Sequence, residues 1–198
     1  MQIVLIGGFA GMGKKNVLCS VGNELVARDK KVGAVVIKDM QNNEEGSASM
    51  DPAILVREMM NVPCTFITDL VDEMPEIYKQ SVFDYLLIEV PFSLPPGKVK
   101  KALVNLELKD LSFAPLIYVF DVNMLKSDTK IIPKIISTQI TESEIIFANA
   151  DPADQKTLAA LNRIFEGINT AAKVFKHAGG LDECGVSDFV DLIINWNN

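Results

Sequence analysis

The chemistry-bearing residues of this chain start at its eighth position. Gly8-Phe9-Ala10-Gly11-Met12-Gly13-Lys14-Lys15 directly follows the apolar run Ile3-Val4-Leu5-Ile6. Glycines at this spacing let main-chain N–H groups curl around phosphate oxygens, and a lysine after the last of them adds a point charge. Gly8, Gly13 and Lys14 meet the pattern G-x-x-x-x-G-K-[ST], whereas Lys15 stands where a Mg²⁺-ligating hydroxyl belongs. Binding and hydrolysis therefore separate. Phosphate binding keeps its residues, but phosphoryl transfer loses a ligand of the ion that clamps the β- and γ-phosphates. The Lys15 ammonium is expected to neutralise phosphate directly, making binding less dependent on Mg²⁺. The expected phosphate-binding set is Gly8, Gly11, Met12, Gly13, Lys14, Lys15 and Asn16, at the amino end of a helix that starts near Lys15, where the dipole favours anions. The alternative is a glycine-rich strand-to-helix turn with no ligand.

Glu44, Asp51 and Glu89 are the carboxylates expected at the same end of the fold, and carboxylate oxygens suit Mg²⁺. Asp39 is a further candidate by position. The competing reading is a solvated acidic loop for Glu44 and Asp51 and a plain strand-end carboxylate for Glu89. Cys19, Cys64 and Cys184 are odd in number and far apart, which gives neither a disulfide framework nor a C-x-x-C metal pair. A lone Cys64 cannot hold Zn²⁺ or Co²⁺ tightly; two copies could pair theirs across a homodimer, or the thiol is simply buried beside Pro63. Cys19 is expected in the core on the first helix, and His177, the single histidine, in a solvated loop.

The elements that must position these residues follow from hydrophobic patterning. Gln2–Ile6, Val32–Ile37, Tyr85–Val90, Leu116–Asp121, Glu144–Ala148 and Ala172–Phe175 read as buried strands. Val17, Val21 and Leu25 keep helical spacing after the glycine loop. Ala53–Met60, Leu70–Gln80, Val99–Leu108, Thr129–Thr138, Gln155–Gly167 and Val186–Trp196 read as further helices. Asp51-Pro52 and Asp151-Pro152 look like helix starts, an N-cap followed by proline. Such βα alternation predicts an α/β fold, a doubly wound, mostly parallel sheet in a three-layer sandwich, and the glycine loop after its first strand makes it P-loop NTPase-like. The polar stretch Lys38–Met50 after the second strand should face the glycine loop, since loops at the carboxyl ends of strands line the ligand crevice.

With 198 residues the chain is expected to form one domain. An apolar share of 48% is explained by buried parallel strands, and no apolar stretch approaches the roughly 20 residues of a spanning helix. The opening run lacks a basic leader and reads as a strand, which points to the cytoplasm. A net charge of −7 disfavours nucleic acid and anionic lipid as partners, because either needs a basic face.

Over most of its length the chain resembles the metallochaperone GTPases that include CobW, HypB and UreG, with CobW the most similar. Gly8 to Lys14 follows that family's G-F-x-G-x-G-K-T-T loop until both threonines become Lys15 and Asn16. Asn43-Glu44-Glu45-Gly46 and Asp51 repeat its N-E-x-G-x-x-x-x-D motif. Its C-x-C-C metal motif is reduced to Cys64 in Pro63-Cys64-Thr65, followed by Asp69-Leu70. Asp84 to Glu89 looks like the strand ending in a glutamate near Mg²⁺, but Phe92 occupies the place of the glycine that senses the γ-phosphate. Gln139-Ile140, Glu144 and Ile145 to Ala148 match the segment before the guanine-reading [NT]-K-x-D. There Asn149 keeps the first position, Ala150 replaces the lysine, Pro152 takes the aspartate's place and Asp151 falls one residue early. The C-terminal domain of CobW proteins has no counterpart in this reading.

The resemblance implies binding of GTP or GDP, with ATP an open alternative, through the loop residues with Asn149 and Asp151 near the base. It further implies that Glu89 and Asp51 organise Mg²⁺ and water as the catalytic pair, that Glu44, Asp51, Glu89 and Cys64 are the metal candidates, and that the 43–51 loop switches. A client metalloenzyme or corrinoid protein is the implied partner, in metal or cobalamin cofactor insertion. Departures at Lys15, Phe92, the base-reading segment and the cysteine motif lead to the expectation of a divergent member with weak Mg²⁺ binding and weak or lost GTP hydrolysis. The competing class is a non-enzymatic assembly protein whose loop is vestigial.

Overall fold

A computed structural model describes residues 1–9, 11, 13–38, 49–80, 82–121, 133–149, 155–177 and 183–196. In chain order the elements are β1 (Gln2–Gly8), α1 (Lys14–Ala27), β2 (Val32–Lys38), β3 (Leu55–Met60), α2 (Phe66–Gln80), β4 (Tyr85–Glu89) and α3 (Pro96–Val104). They continue with β5 (Ser112–Phe113), β6 (Ile117–Asp121), α4 (Lys134–Glu142), β7 (Ile145–Asn149), α5 (Gln155–Ile168), β8 (Lys173–His177) and α6 (Glu183–Ile194).

The strands form one sheet in the order β3-β2-β4-β1-β6-β7-β8, with the short β5 beside the start of β1. Every pairing among the described residues is parallel. A parallel sheet needs both faces covered, and alternate side chains of each strand go to opposite layers. Val4, Ile6 and Leu87 pack with Val17, Leu18 and Val21 of α1 and with Phe189, Val190 and Ile193 of α6. Ile3, Leu5, Leu86 and Ile88 pack on the other face against Phe66, Leu70 and Met74 of α2 and Val99 and Leu103 of α3. Tyr118, Phe120 and Ile146 extend that second layer under α4 and α5. These layers make the three-layer, doubly wound P-loop NTPase-like sandwich that the βα alternation predicts. No helix among the described residues is long and apolar enough to cross a membrane.

The topology fixes where a ligand crevice lies. β1 has β4 on one side and β6 on the other, so the chain departs from it in both directions and leaves a gap above its carboxyl end. The register sets Ile6 beside both Glu89 and Ile117, and Gly8 beside Val119. The loop after Gly8 and the end of β4 thus share one edge of the sheet.

One expected helix is a strand. Ala53–Met60 carries apolar residues at spacings that fit a helix, but Leu55–Met60 is β3, paired in register with Gly33–Lys38 of β2. Asp51-Pro52 does begin a turn: Asp51 Oδ1 accepts from Ala53 N at 2.8 Å, and the Asp51 carbonyl accepts from Ile54 N at 3.0 Å. The chain then extends because β2 offers an open edge, and pairing along six residues outweighs a weak helical pattern. Being the edge strand, β3 stays mostly exposed, with Met59 its buried residue. The other helices occur with shifted ends. α2 begins at Phe66, four residues before Leu70, because Thr65 precedes it, Thr65 Oγ1 bonds Asp69 Oδ2 at 2.8 Å, and Asp69 is the acidic residue of its first turn. The start expected at Asp151-Pro152 lies outside the described residues.

Candidate phosphate-binding site

The loop between β1 and α1 is shaped by its glycines. Gly8 has φ +144, and a Cβ there would lie 2.6 Å from the Val119 carbonyl oxygen of β6. Gly11 and Gly13, at φ +75 and +81, turn the chain in the left-handed region that side chains disfavour. Gly13 is the N-cap of α1 and offers no side-chain acceptor to the first turn. The amides of that turn have no upstream carbonyl within the helix, so an acceptor must come from outside it.

The charges at this end point the same way. Lys14 and Lys15 open α1, and its first turn has no acidic residue. Cations at the positive end of a helix are each unfavourable by about 0.3–1 kcal/mol, a cost that an anion seated between them removes. Lys14 is buried, and its Nζ donates to the carbonyls of Gly8 at 3.0 Å and Phe9 at 3.3 Å. The ammonium is therefore held over the loop by the loop's own oxygens.

Glu89 ends β4 beneath this turn. Its carboxylate is buried, and Oε2 accepts from Ile37 N of β2 at 3.0 Å. Phe9 and Phe92, which also line this space, pack edge to face with centroids 5.1 Å apart and an interplanar angle of 62°. The space enclosed is about 150 Å³. Gly11, Gly13, Lys14, Lys15 and Asn16 form its loop and helix side, Glu89 with Ile37 and Asn61 its sheet side, and Phe9, Pro91 and Phe92 its apolar wall.

These residues suit a phosphate better than a divalent cation. Backbone amides, a helix amino end and two lysines all favour an anion. Mg²⁺ prefers a shell of oxygens. Here Lys15 and Glu89 line the same cavity, no hydroxyl stands at position 15, and the described residues hold no group of three or more His, Cys, Asp or Glu that could bind a metal. Among the described residues the Glu89 carboxylate is the acidic group lining the cavity.

Of the residues singled out in the sequence, Gly11, Gly13, Lys14, Lys15, Asn16 and Glu89 meet around the cavity, with Gly8 directly beneath Lys14. Asp51 does not join them. Its backbone N is held by Asn23 Oδ1 at 2.8 Å, and its side chain caps its own turn. Asn23 lies nine residues along α1 from Lys14, about 13 Å at 1.5 Å per residue. The expected pairing of Asp51 with Glu89 as catalytic acids and metal ligands is absent from this arrangement. Cys64 is exposed in the turn before α2 and is not part of the cavity wall, which corrects the view of it as a buried thiol. Asn149 ends β7, with β6 between it and the loop strand. Met12, Glu44 and Asp151 lie outside the described residues, as does Asp39.

Asn61, Phe9 and Ile37 were not foreseen as cavity residues. Asn61 directly follows β3, so reading that segment as a strand would have put Asn61 at the crevice by the carboxyl-end rule. Nothing local marks the amide of Ile37 as the partner of Glu89.

The two described thiols should differ in reactivity. Burial pushes the Cys19 thiol up from its ordinary value, the Glu89 carboxylate adds to the rise, and Lys15 opposes it. The fold thus favours the neutral thiol, a contribution fully present below the unfolded thiol's pKa and lost as pH rises through the higher folded value. At pH 8 a thiol reagent is expected to label Cys64 in the native protein and to spare Cys19 until denaturant is added. Peptide mass mapping checks this, and equal native labelling of both would contradict the burial of Cys19.

Known structures share this architecture. The chain superposes on an LAO/AO transport system kinase with TM-score 0.64 and 15% identity, covering 99% of this chain and 59% of that one. The Zn(II)-bound YjiA GTPase from E. coli gives TM-score 0.65 at 19% identity, over 94% of this chain and 60% of that one. HypB from Helicobacter pylori in complex with nickel gives 0.63 at 14%, over 98% and 86%. The chain thus spans about three fifths of the length of the first two. At such identities the likeness is one of fold. The family model for the CobW/HypB/UreG nucleotide-binding domain matches residues 2–176, which include the glycine loop, Lys14, Glu89 and every strand as far as β8. By that match, the chain belongs to the CobW/HypB/UreG nucleotide-binding domain family.

Proposed function

We propose that this protein binds a guanine nucleoside di- or triphosphate with little help from Mg²⁺, turns it over weakly or not at all, and serves as a cytoplasmic accessory in inserting a metal or corrinoid cofactor into a client protein. The observation that carries the binding reading is that Lys15 lines the same cavity as Lys14 and Glu89. A second ammonium at the phosphates takes over part of the charge neutralisation that Mg²⁺ otherwise supplies, and a cation in that place repels the metal. The client role is supported by family membership and by the Zn(II) and nickel in the YjiA and HypB structures.

Calorimetric titration with GTP, GDP and ATP, each with Mg²⁺ and with EDTA, tests this. EDTA is expected to change the dissociation constant less than about threefold, under 1 kcal/mol, and turnover should stay near background. Lys15→Thr is expected to make binding Mg²⁺-dependent and to raise turnover. Mg²⁺-dependent GTP turnover by the unaltered protein would reject the reading.

The second reading, a partner-binding assembly protein with a vestigial loop, draws on the edge strand, where Leu55, Val56 and Met60 are more than two fifths exposed. Apolar side chains along an open strand edge favour pairing with another chain. Absence of binding to every nucleotide in the titration would select it.

A further inference from the structure

We propose that the site selects a nucleoside diphosphate over the corresponding triphosphate, with Phe92 setting the limit; this rests on the nucleotide-binding reading above and adds its selectivity. Two independent features lead there.

The first is the wall. In a loop of this kind the backbone amides take the inner phosphates and the lysine reaches the outer ones, so a third phosphate would sit at the Lys14 ammonium and against whatever adjoins it. The Lys14 ammonium bonds the Phe9 carbonyl at 3.3 Å, so the ring pair of Phe9 and Phe92, which lines the cavity together with Pro91, adjoins it. An aromatic face carries negative potential and offers no hydrogen bond to a phosphate oxygen. The hydroxyl of Ser93, next in the chain, is buried and does not line the cavity. A terminal phosphate pushed against this wall would lose water without gaining donors.

The wall is also fixed. The fully buried Gln139 of α4 donates from Nε2 to the carbonyls of Phe92 at 2.9 Å and Leu94 at 2.8 Å. Leu94 N closes a turn on the Pro91 carbonyl at 2.9 Å. From the other side Phe9 packs edge to face on the Phe92 ring, and Phe9 is itself seated on the cores of both sheet faces. Swinging the ring clear requires breaking the ring pair or the Gln139 clamp.

The second feature is charge. Lys14, Lys15 and the amino end of α1 supply the positive field of the site, and Lys15 stands where a Mg²⁺-ligating hydroxyl belongs. A triphosphate brings one more negative charge than a diphosphate, and Mg²⁺ bridging the two outer phosphates is the ordinary means of neutralising it. A cation at position 15 in place of the hydroxyl weakens the hold on that ion, and with less of it the shorter chain is the better electrostatic match.

The test titrates the unaltered protein, Phe92→Gly and Phe92→Ala in EDTA with GDP and with a non-hydrolysable GTP analogue, and repeats the comparison with pyrophosphate and tripolyphosphate to remove any contribution of the base. The unaltered protein is expected to bind GDP and pyrophosphate at least about tenfold tighter than their longer counterparts. Both variants should gain affinity for the longer ligands relative to the shorter ones and so narrow the ratio to within about threefold, with a thermal melt reporting that they fold. Equal or tighter binding of the triphosphate by the unaltered protein would overturn the selectivity while leaving nucleotide binding intact. An unchanged ratio in both variants would overturn the assignment to Phe92. Failure of the unaltered protein to bind any of the four ligands would overturn this inference together with the reading beneath it.

Discussion

Gly8→Ala is expected to lower stability by about 3 kcal/mol and to abolish phosphate binding, because the position combines a disfavoured φ with a collision the sheet cannot relieve. The added methyl would meet the Val119 carbonyl at 2.6 Å and the Lys14 side chain at 3.2 and 3.3 Å. Val119 sits in β6, hydrogen-bonded between β1 and β7, so its oxygen cannot retreat without opening the ladder. For a chain of this size the loss corresponds to a fall in Tm of roughly 6–12 °C, measurable by calorimetry or circular dichroism. Gly11→Ala supplies the contrast. Nothing lies within 4 Å of a Cβ there, so only the φ of +75 is strained, and a loss of about 1 kcal/mol is expected. Equal effects of the two substitutions would show that the clash with Val119 does not matter.

Lys14→Met is expected to weaken diphosphate binding by roughly 100-fold, since a charge-assisted bond to phosphate in a partly enclosed site contributes about 1.5–3 kcal/mol directly and long-range attraction adds to it. The thioether keeps most of the volume of the lysine stem, so the Gly8 clash surface at Cγ and Cδ remains filled. The carbonyls of Gly8 and Phe9 lose their Nζ donor, which limits the stability cost to about 1–3 kcal/mol. Calorimetric titration together with a thermal melt separates the two effects. Retained affinity in a folded Lys14→Met protein would mean that phosphate is held elsewhere or not at all. Lys14→Arg is the informative partner: it keeps the charge, but its larger planar head no longer fits between the two carbonyls, so partial recovery is expected.

Both predictions concern residues that can be named from the sequence, and the reason is physical. A phosphate loop is local, its glycines and lysine lie within eight residues, and the apolar run before it and the helical period after it fix strand, turn and helix without help from distant contacts. The parallel sheet is legible for a related reason, because strands buried on both faces must be apolar throughout. The sequence by itself therefore determined the α/β alternation, the loop with Lys14 and Lys15, and Glu89 at the end of its strand.

What depends on distant pairing was decided only by the tertiary structure. Leu55–Met60 has side chains compatible with either period and became a strand because β2 presents an edge to it, which moved Asn61 into the crevice. Asp51 was drawn to Asn23 of α1 and so away from Glu89, a hydrogen bond between residues 28 positions apart that no spacing rule anticipates. The amide of Ile37 satisfies Glu89 across the β2–β4 pairing, and Gln139 clamps the turn that carries Phe92 from a helix some 45 residues downstream. Local chemistry thus specified which groups could hold phosphate, while register and side-chain hydrogen bonds across the fold set the walls around it and the carboxylates within reach.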